Sequence, residues 1–286
     1  MVTESPVELE AQDGHELSGV FIAPDAPRGG LLISAATGYP KEFYRRLAAY
    51  AADRGYTCLI YDYRGVNTGN DDALDGFKAD VEDWGRLDFA AALSALAIKV
   101  KDKPIVTLGH SVGGHLIGFA DNYARACGHI HVSVGSGYWG HHKWPMPLLG
   151  LLLWWGYGPI ALATKNYLPA GGLWSGCALP RGAFEQWRRW SNNSRYFRDD
   201  LETRLRPHHF EDVTAPIRSF VFSDDPIANP RTARVILDAY PRAETDMRLI
   251  KPADFGLKKI GHDGAFRARS QAVWDAILDE ADALIA

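Results

Sequence analysis

The chain predicts an α/β fold: a mostly parallel central sheet flanked by helices, interrupted once by an inserted helical cap. Three observations carry that expectation. Short β-branched apolar runs alternate with segments of helical spacing, the pattern of βα units that build a parallel sheet. The alternation stops between residues 137 and 212, a stretch with no convincing strand that holds seven of the nine tryptophans. The whole chain is 286 residues with 47% hydrophobic and 23% charged residues, enough to bury one large core. The reading therefore assigns 1–136 and 213–286 to the α/β core and 137–212 to the cap.

Taken in order, Val7 to Ala11 and Leu17 to Ile22 bracket "QDGH" and read as an opening antiparallel hairpin. "GGLLISAA", ending at Ala36, is the next strand, followed by a helix from about Lys41 that Gly55 is placed to end. "TCLIYDY" (57–63) is a strand, and Asp80 to Ile98 is a helix with Val81, Trp84, Leu87 and Ala91 along one face. A strand at 104–108, a helix at 112–126 and the strand "HIHVSVGS" (129–136) come next. After the cap come the strand "IRSFVFSD" (217–224), a helix from about Arg231, the strand "DMRLI" (246–250) and a final helix near Phe266 to Leu284.

Composition excludes several function classes. A net charge of −4 argues against a nucleic-acid or anionic-membrane partner. The opening "MVTESPVELEAQDG" lacks a basic region followed by an apolar one, so no signal peptide is expected. Cys58, Cys127 and Cys177 are too scattered for a disulfide framework, which points to a reducing, cytoplasmic setting. "PLLGLLLWWGYGPIALA" (147–163) is the longest apolar run; its glycines and prolines are expected to break it well short of a membrane span. No phosphate-cradling glycine loop follows a first strand, so no cofactor is implied. The doublets His141-His142 and His208-His209 lack the wider-spaced partners a metal needs.

Where strand 104–108 meets the next helix stands Gly109-His110-Ser111-Val112-Gly113. A serine in a sharp turn after a sheet strand takes a strained backbone, and glycines two places either side remove the Cβ atoms that would collide with the crossing chain. The hydroxyl of Ser111 is left exposed above the sheet as a nucleophile, with the free N–H groups of the following helix beside it. The plain alternative is a glycine-rich packing turn.

These motifs resemble the α/β-hydrolases over nearly the whole chain, and most of all a group of predicted bacterial serine hydrolases near the esterase and serine-aminopeptidase branch. The matching pieces are "ATG" (36–38), "YDYRG" (61–65), "GHSVGG" (109–114), "GYW" (137–139) and "IGH" (260–262). The resemblance implies a Ser-acid-His triad in that chain order. Of ten histidines, only His262 stands in a loop between the last strand and the last helix. In related hydrolases the acid immediately precedes a short pair like Pro226-Ile227, which points to Asp225; strand alternation lets only one of Asp224 and Asp225 face the histidine. The elbow makes the Val112 amide one oxyanion donor, and the resemblance makes Tyr39 the other, although Thr37 stands where relatives carry histidine. Trp139, Trp154 and Trp155 are the candidate substrate-facing rings of the cap.

The implied activity is cleavage of a carboxylic ester or lactone, or an amide, of an uncharged apolar small molecule through an acyl-enzyme. An acyltransferase using the same triad and a non-catalytic binder of a small apolar ligand remain open. A proline iminopeptidase is disfavoured because those relatives carry tryptophan where this chain has Val112.

Overall fold

A computed structural model describes residues 1–286. Strands β1 (Val2–Glu10) and β2 (Glu16–Pro24) form the opening antiparallel hairpin. Then come β3 (Gly29–Ser34), β4 (Tyr56–Tyr61), β5 (Ile105–His110) and β6 (Gly128–Val132). The cap contributes a two-residue ladder of β7 (Tyr167–Leu168) with β8 (Leu179–Pro180), and the core closes with β9 (Ile217–Phe222) and β10 (Thr245–Ile250). The main sheet has eight strands in the order β1-β2-β4-β3-β5-β6-β9-β10. From β4 to β10 every pairing is parallel.

Strands β3, β4, β5 and β6 are buried at every position, as strands covered by helices on both faces must be, which is why their sequences are continuous apolar runs. The helix Arg45–Asp53 ends at Gly55, whose φ of +95° suits glycine. Residues 81–100 are helical throughout, with a π turn at Trp84–Phe89 that brings Gly85 against Phe119. The last helix, Gln271–Ile285, covers β5 and β6. One cluster of 70 buried residues runs through core and cap alike.

Three expectations are corrected. The helix foreseen at 112–126 is instead three short 3-10 turns, Ser111–Gly114, Ile117–Phe119 and Tyr123–Arg125. The chain there is threaded where only glycine fits: a Cβ on Gly113 would lie 2.3 Å from the Ser34 carbonyl oxygen, and one on Gly118 2.4 Å from the Phe210 ring. The strand foreseen through residue 136 ends at Val132, because Ser133 turns to a φ of +53°. The apolar run is not broken by its glycines and prolines: Met146–Lys165 is one helix of 20 residues, long and apolar enough to cross a membrane by length and composition. Pro147 sits in its first turn, a π turn at Leu153–Tyr157 precedes Pro159, and Gly158 lets the helix press onto Phe184, where a Cβ would be 2.0 Å from the ring.

Candidate active site

The site lies at the carboxyl ends of β5, β9 and β10, where an open parallel sheet leaves a crevice. Ser111 follows β5 directly and has a φ of +52°, the strained backbone anticipated for it. The flanking glycines act as the sequence suggested. A Cβ on Gly109 would sit 2.4 Å from the Gly114 nitrogen, and one on Gly113 would strike β3.

His262 reaches the serine from the loop after β10. Its Nε2 lies 3.1 Å from Ser111 Oγ, and its Nδ1 is 2.9 Å from Asp225 Oδ2. The other oxygen of Asp225 accepts the amides of Ile227 and Ala228 at 2.8 and 3.0 Å. Burial alone would raise the Asp225 carboxyl, but the His262 charge, its hydrogen bond and the two amides outweigh that and hold it below the usual carboxylate range. Burial likewise opposes charge on His262, and the adjoining Asp225 carboxylate overcomes it, so the imidazole titrates above its ordinary 6.5. Asp224, turned the other way, accepts the amides of Ile260 and Gly261 at 2.9 and 3.1 Å and so anchors the loop that carries His262.

A relay not foreseen in the sequence runs behind these residues. The Ala36 amide donates to Tyr44 Oη at 2.8 Å, Tyr44 Oη contacts His110 Nδ1 at 2.8 Å, and His110 Nε2 contacts the His262 carbonyl at 2.9 Å. An amide can only donate and a carbonyl can only accept, so every proton is fixed: the tyrosine hydroxyl donates to Nδ1, and Nε2–H donates to the carbonyl. His110 is fully buried, and burial drives its pKa down to about 3, which keeps it neutral. The "YDYRG" motif braces the segment after the 36–40 loop. Asp62 accepts both the backbone amide and the ammonium of Lys41 at 2.7 and 2.6 Å, and Arg64 is held by Asp88.

The Val112 amide heads the Ser111–Gly114 turn, among the N–H groups a helical turn leaves without an internal partner. The long helix dipole expected to support it is absent. Tyr39 faces the cavity, but its amide donates to the Ala36 carbonyl at 3.1 Å, while the Thr37 amide makes no backbone hydrogen bond. Gly38, at φ +71°, carries the turn beneath Trp174.

Above Ser111 and His262 is a cavity of about 330 Å³, and 12 of its 22 lining residues are hydrophobic. Of the three candidate rings only Trp154 lines it. Trp139 and Trp155 are corrected: both indoles donate to Asn192 Oδ1 at 3.2 Å, outside the cavity, and Trp155 is 62% exposed beneath the Arg188 guanidinium. Adjacent helical residues diverge by about 100°, so Trp154 and Trp155 could not both face inward. Trp174, Trp187 and His142 line the cavity without having been singled out. Their sequence signal, scattered aromatics in a segment without periodicity, does not reveal which way a ring points.

The chain matches the family model described as the alpha/beta hydrolase family over residues 18–276. No curated protein matches it. Among solved structures it is similar to a soluble variant of monoglyceride lipase from Saccharomyces cerevisiae, with a TM-score of 0.65 and 15% identity, covering 99% of this chain and 97% of that one. It is also similar to a thermostable carboxyl esterase from Bacillus coagulans, at 0.64 and 14% over 100% of both chains. An esterase from Pyrococcus furiosus aligns at 0.60 and 14%, covering 100% of this chain and 92% of that one. By family model, sheet order and the serine turn after β5, the chain belongs to the alpha/beta hydrolase family.

Proposed function

We propose that the protein is a serine hydrolase that cleaves carboxylic esters or lactones of uncharged, apolar small molecules. The observation that carries this reading is the unbroken contact from Asp225 through His262 to Ser111 at the floor of a largely apolar cavity. His262 takes the Ser111 proton as the oxygen attacks the carbonyl, and Asp225 holds the imidazole in the right tautomer and stabilises the imidazolium. The oxyanion is received by the Val112 amide and by the 36–40 loop. There Tyr39 serves only by loosening its bond to Ala36, whereas the Thr37 amide is free of backbone partners. His262 then protonates the leaving alcohol, and its neutral form activates water to release the acid.

Apolar burial sets the preference. Each methylene that enters the cavity contributes about 0.8 kcal/mol, or roughly fourfold in kcat/KM. The test combines fluorophosphonate labelling, located by mass spectrometry after digestion, with p-nitrophenyl esters from acetate to hexanoate beside aminoacyl-naphthylamides. Label on Ser111 and a rising ester series are expected. Label elsewhere, or a flat series with amide cleavage dominant, would overturn the reading.

A further inference from the structure

The cap helix Met146–Lys165 packs only part of itself against the protein: Leu153, Trp154, Ala161 and Leu162 are buried. Its outer side carries Leu148, Leu152, Trp155 and Ile160 at 45%, 45%, 62% and 66% exposure, and Trp144, just before it, stands at 77%. A contiguous apolar face of this kind on a water-exposed helix marks an interaction surface. The face is continuous with the cavity mouth, because Leu149 and Leu173 are both exposed and among the residues lining the cavity over Ser111.

Charge identifies the partner. The helix and the chain around it carry no acid of their own, since from Asn122 to Phe184 there is no Asp or Glu at all. The nearest carboxylates reach it only beyond its C-terminal end, where Asp75 and Asp72 accept from Asn166 and Tyr167. Lys143 stands exposed at one end of the helix, Lys165 at the other, and the Arg188 guanidinium lies 4.4 Å over the Trp155 ring. None of the three forms an ion pair with a carboxylate. Lys143 Nζ donates instead to the Ser223 carbonyl at 2.7 Å. A second copy of the chain docked symmetrically on this face would bring like cations together. A bilayer with anionic headgroups meets both halves of the pattern, apolar side chains entering the acyl boundary and cations at the headgroup level.

We propose that the outer face of helix Met146–Lys165 docks the protein on an anionic phospholipid surface, with the helix lying in the plane of the interface and the cavity mouth turned toward it. The helix does not span the bilayer in this arrangement, because its inner side stays packed on the core. Docking stands independently of the proposed ester chemistry, and its test needs no turnover.

The experiment is flotation of the Ser111→Ala protein with vesicles of phosphatidylcholine containing one third phosphatidylglycerol, and with vesicles of phosphatidylcholine alone. Binding to the anionic vesicles is expected, weakened by added salt and by about fivefold for each of Lys143→Gln and Lys165→Gln. The combined variant Leu148→Ser/Leu152→Ser/Ile160→Ser, whose residues lie outside the cavity, is expected to lose at least about tenfold in binding while keeping its circular dichroism and melting temperature. No flotation, equal flotation of that folded variant, or equal binding to the uncharged vesicles would overturn the proposal. So would a concentration-dependent dimer that the same variant abolishes, since a second copy would then be what covers the face.

Discussion

Core and cap use the same apolar side chains to opposite ends. In the core, β3 to β6 hide every residue, and the helices over them close both faces. In the cap, a helix just as apolar leaves Leu148, Leu152 and Ile160 in solvent. The two regions meet at one cavity, whose floor is Ser111 and His262 and whose roof includes Trp154, Trp174 and Trp187. The contrast teaches a division of labour. The proposed nucleophile Ser111 stands directly after a fully buried strand whose position is over-determined by packing, while the rings proposed to meet substrate stand on a region held along one side only. Each experiment below tests one region or the other.

The largest effect belongs to the floor. Asp225→Asn is expected to lower kcat by about 10³- to 10⁴-fold, since an amide neither fixes the His262 tautomer nor stabilises its cation. Asp224→Asn, which only loosens the Ile260 and Gly261 amides, is expected to cost about tenfold or less. The pH profile supplies the sign. The Asp225 charge is what lifts His262 above 6.5 against burial, so the wild-type rate should rise through a midpoint above 6.5. In Asp225→Asn the residual rate should rise through a midpoint that has moved to lower pH. Equal, mild losses in both variants would place the acid elsewhere.

Acid should next lower stability through the buried histidines. Burial lowers the pKa of His115 and His129 to about 3, does the same to His110 with help from the His262 charge, and carries His131 well below 6.5. All four lie in the core, on or beside β5 and β6. Their folded pKa values sit below the unfolded 6.5, so below pH 6.5 only the unfolded chain takes up their protons, and stability falls as pH falls. Each contributes a slope of about 1.4 kcal/mol per pH unit. His262 works the other way, because its raised value adds stability below 6.5, but it stands alone against these four and against His15, His141 and His142, which burial also lowers. His131 has no hydrogen-bond partner at either ring nitrogen, so His131→Leu should remove one such slope and leave the fold intact. Urea titrations at pH 7.5 and 5.5 check this, and an unchanged slope in the variant would contradict it.

The same contrast governs what could be read from the sequence. Strands β3 to β5 were legible because full burial demands unbroken apolar runs, and Ser111 because its turn demands glycines at 109 and 113. His262 and Asp225 were reached through their loops and through family likeness, and the structure brings His262 to the serine and Asp225 to His262. The relay through Tyr44 and His110 was invisible: it joins residues 36, 44, 110 and 262, and no local pattern records such a meeting. The segment after Ser111 misled for a related reason, since apolar spacing at 112, 116 and 120 suggested a helix while Gly113 and Gly118 answered to Ser34 and Phe210. In the cap, composition announced aromatic rings but not their directions, which tertiary contacts decide.

A smaller effect is expected from that relay. Tyr44→Phe frees the Ala36 amide and the Nδ1 of His110 together, and His110→Leu removes both the acceptor for Tyr44 and the donor for the His262 carbonyl. Each single variant is expected to lower kcat by about tenfold with KM little changed, because the bonds orient groups that act in the transition state. The double variant should cost scarcely more than either alone, since one break interrupts the whole relay. Strictly multiplying losses would show that the two residues act separately.

The smallest effect lies in the roof, between two neighbouring rings. Trp154 lines the cavity and is 3% exposed, packed at right angles to Trp187 at 4.7 Å; Trp155 is 62% exposed and touches Asn192 and Arg188. Truncating Trp154 widens the cavity where an acyl chain would lie, so each added methylene meets fewer atoms and gains less than the usual 0.8 kcal/mol or so. Trp154→Ala should therefore flatten the rise in kcat/KM from p-nitrophenyl acetate to hexanoate, by about twofold or more per carbon, with acetate itself least affected. It should also cost about 3 kcal/mol or more of stability, the usual toll of deleting a buried indole, so the comparison must be made well below its melting temperature. Trp155→Ala removes nothing that a substrate in the cavity touches, and its chain-length slope should match the wild type. A flattened slope in Trp155→Ala together with an unchanged one in Trp154→Ala would mean that substrate approaches across the outer face of the cap, and the cavity would lose its place as the acyl site.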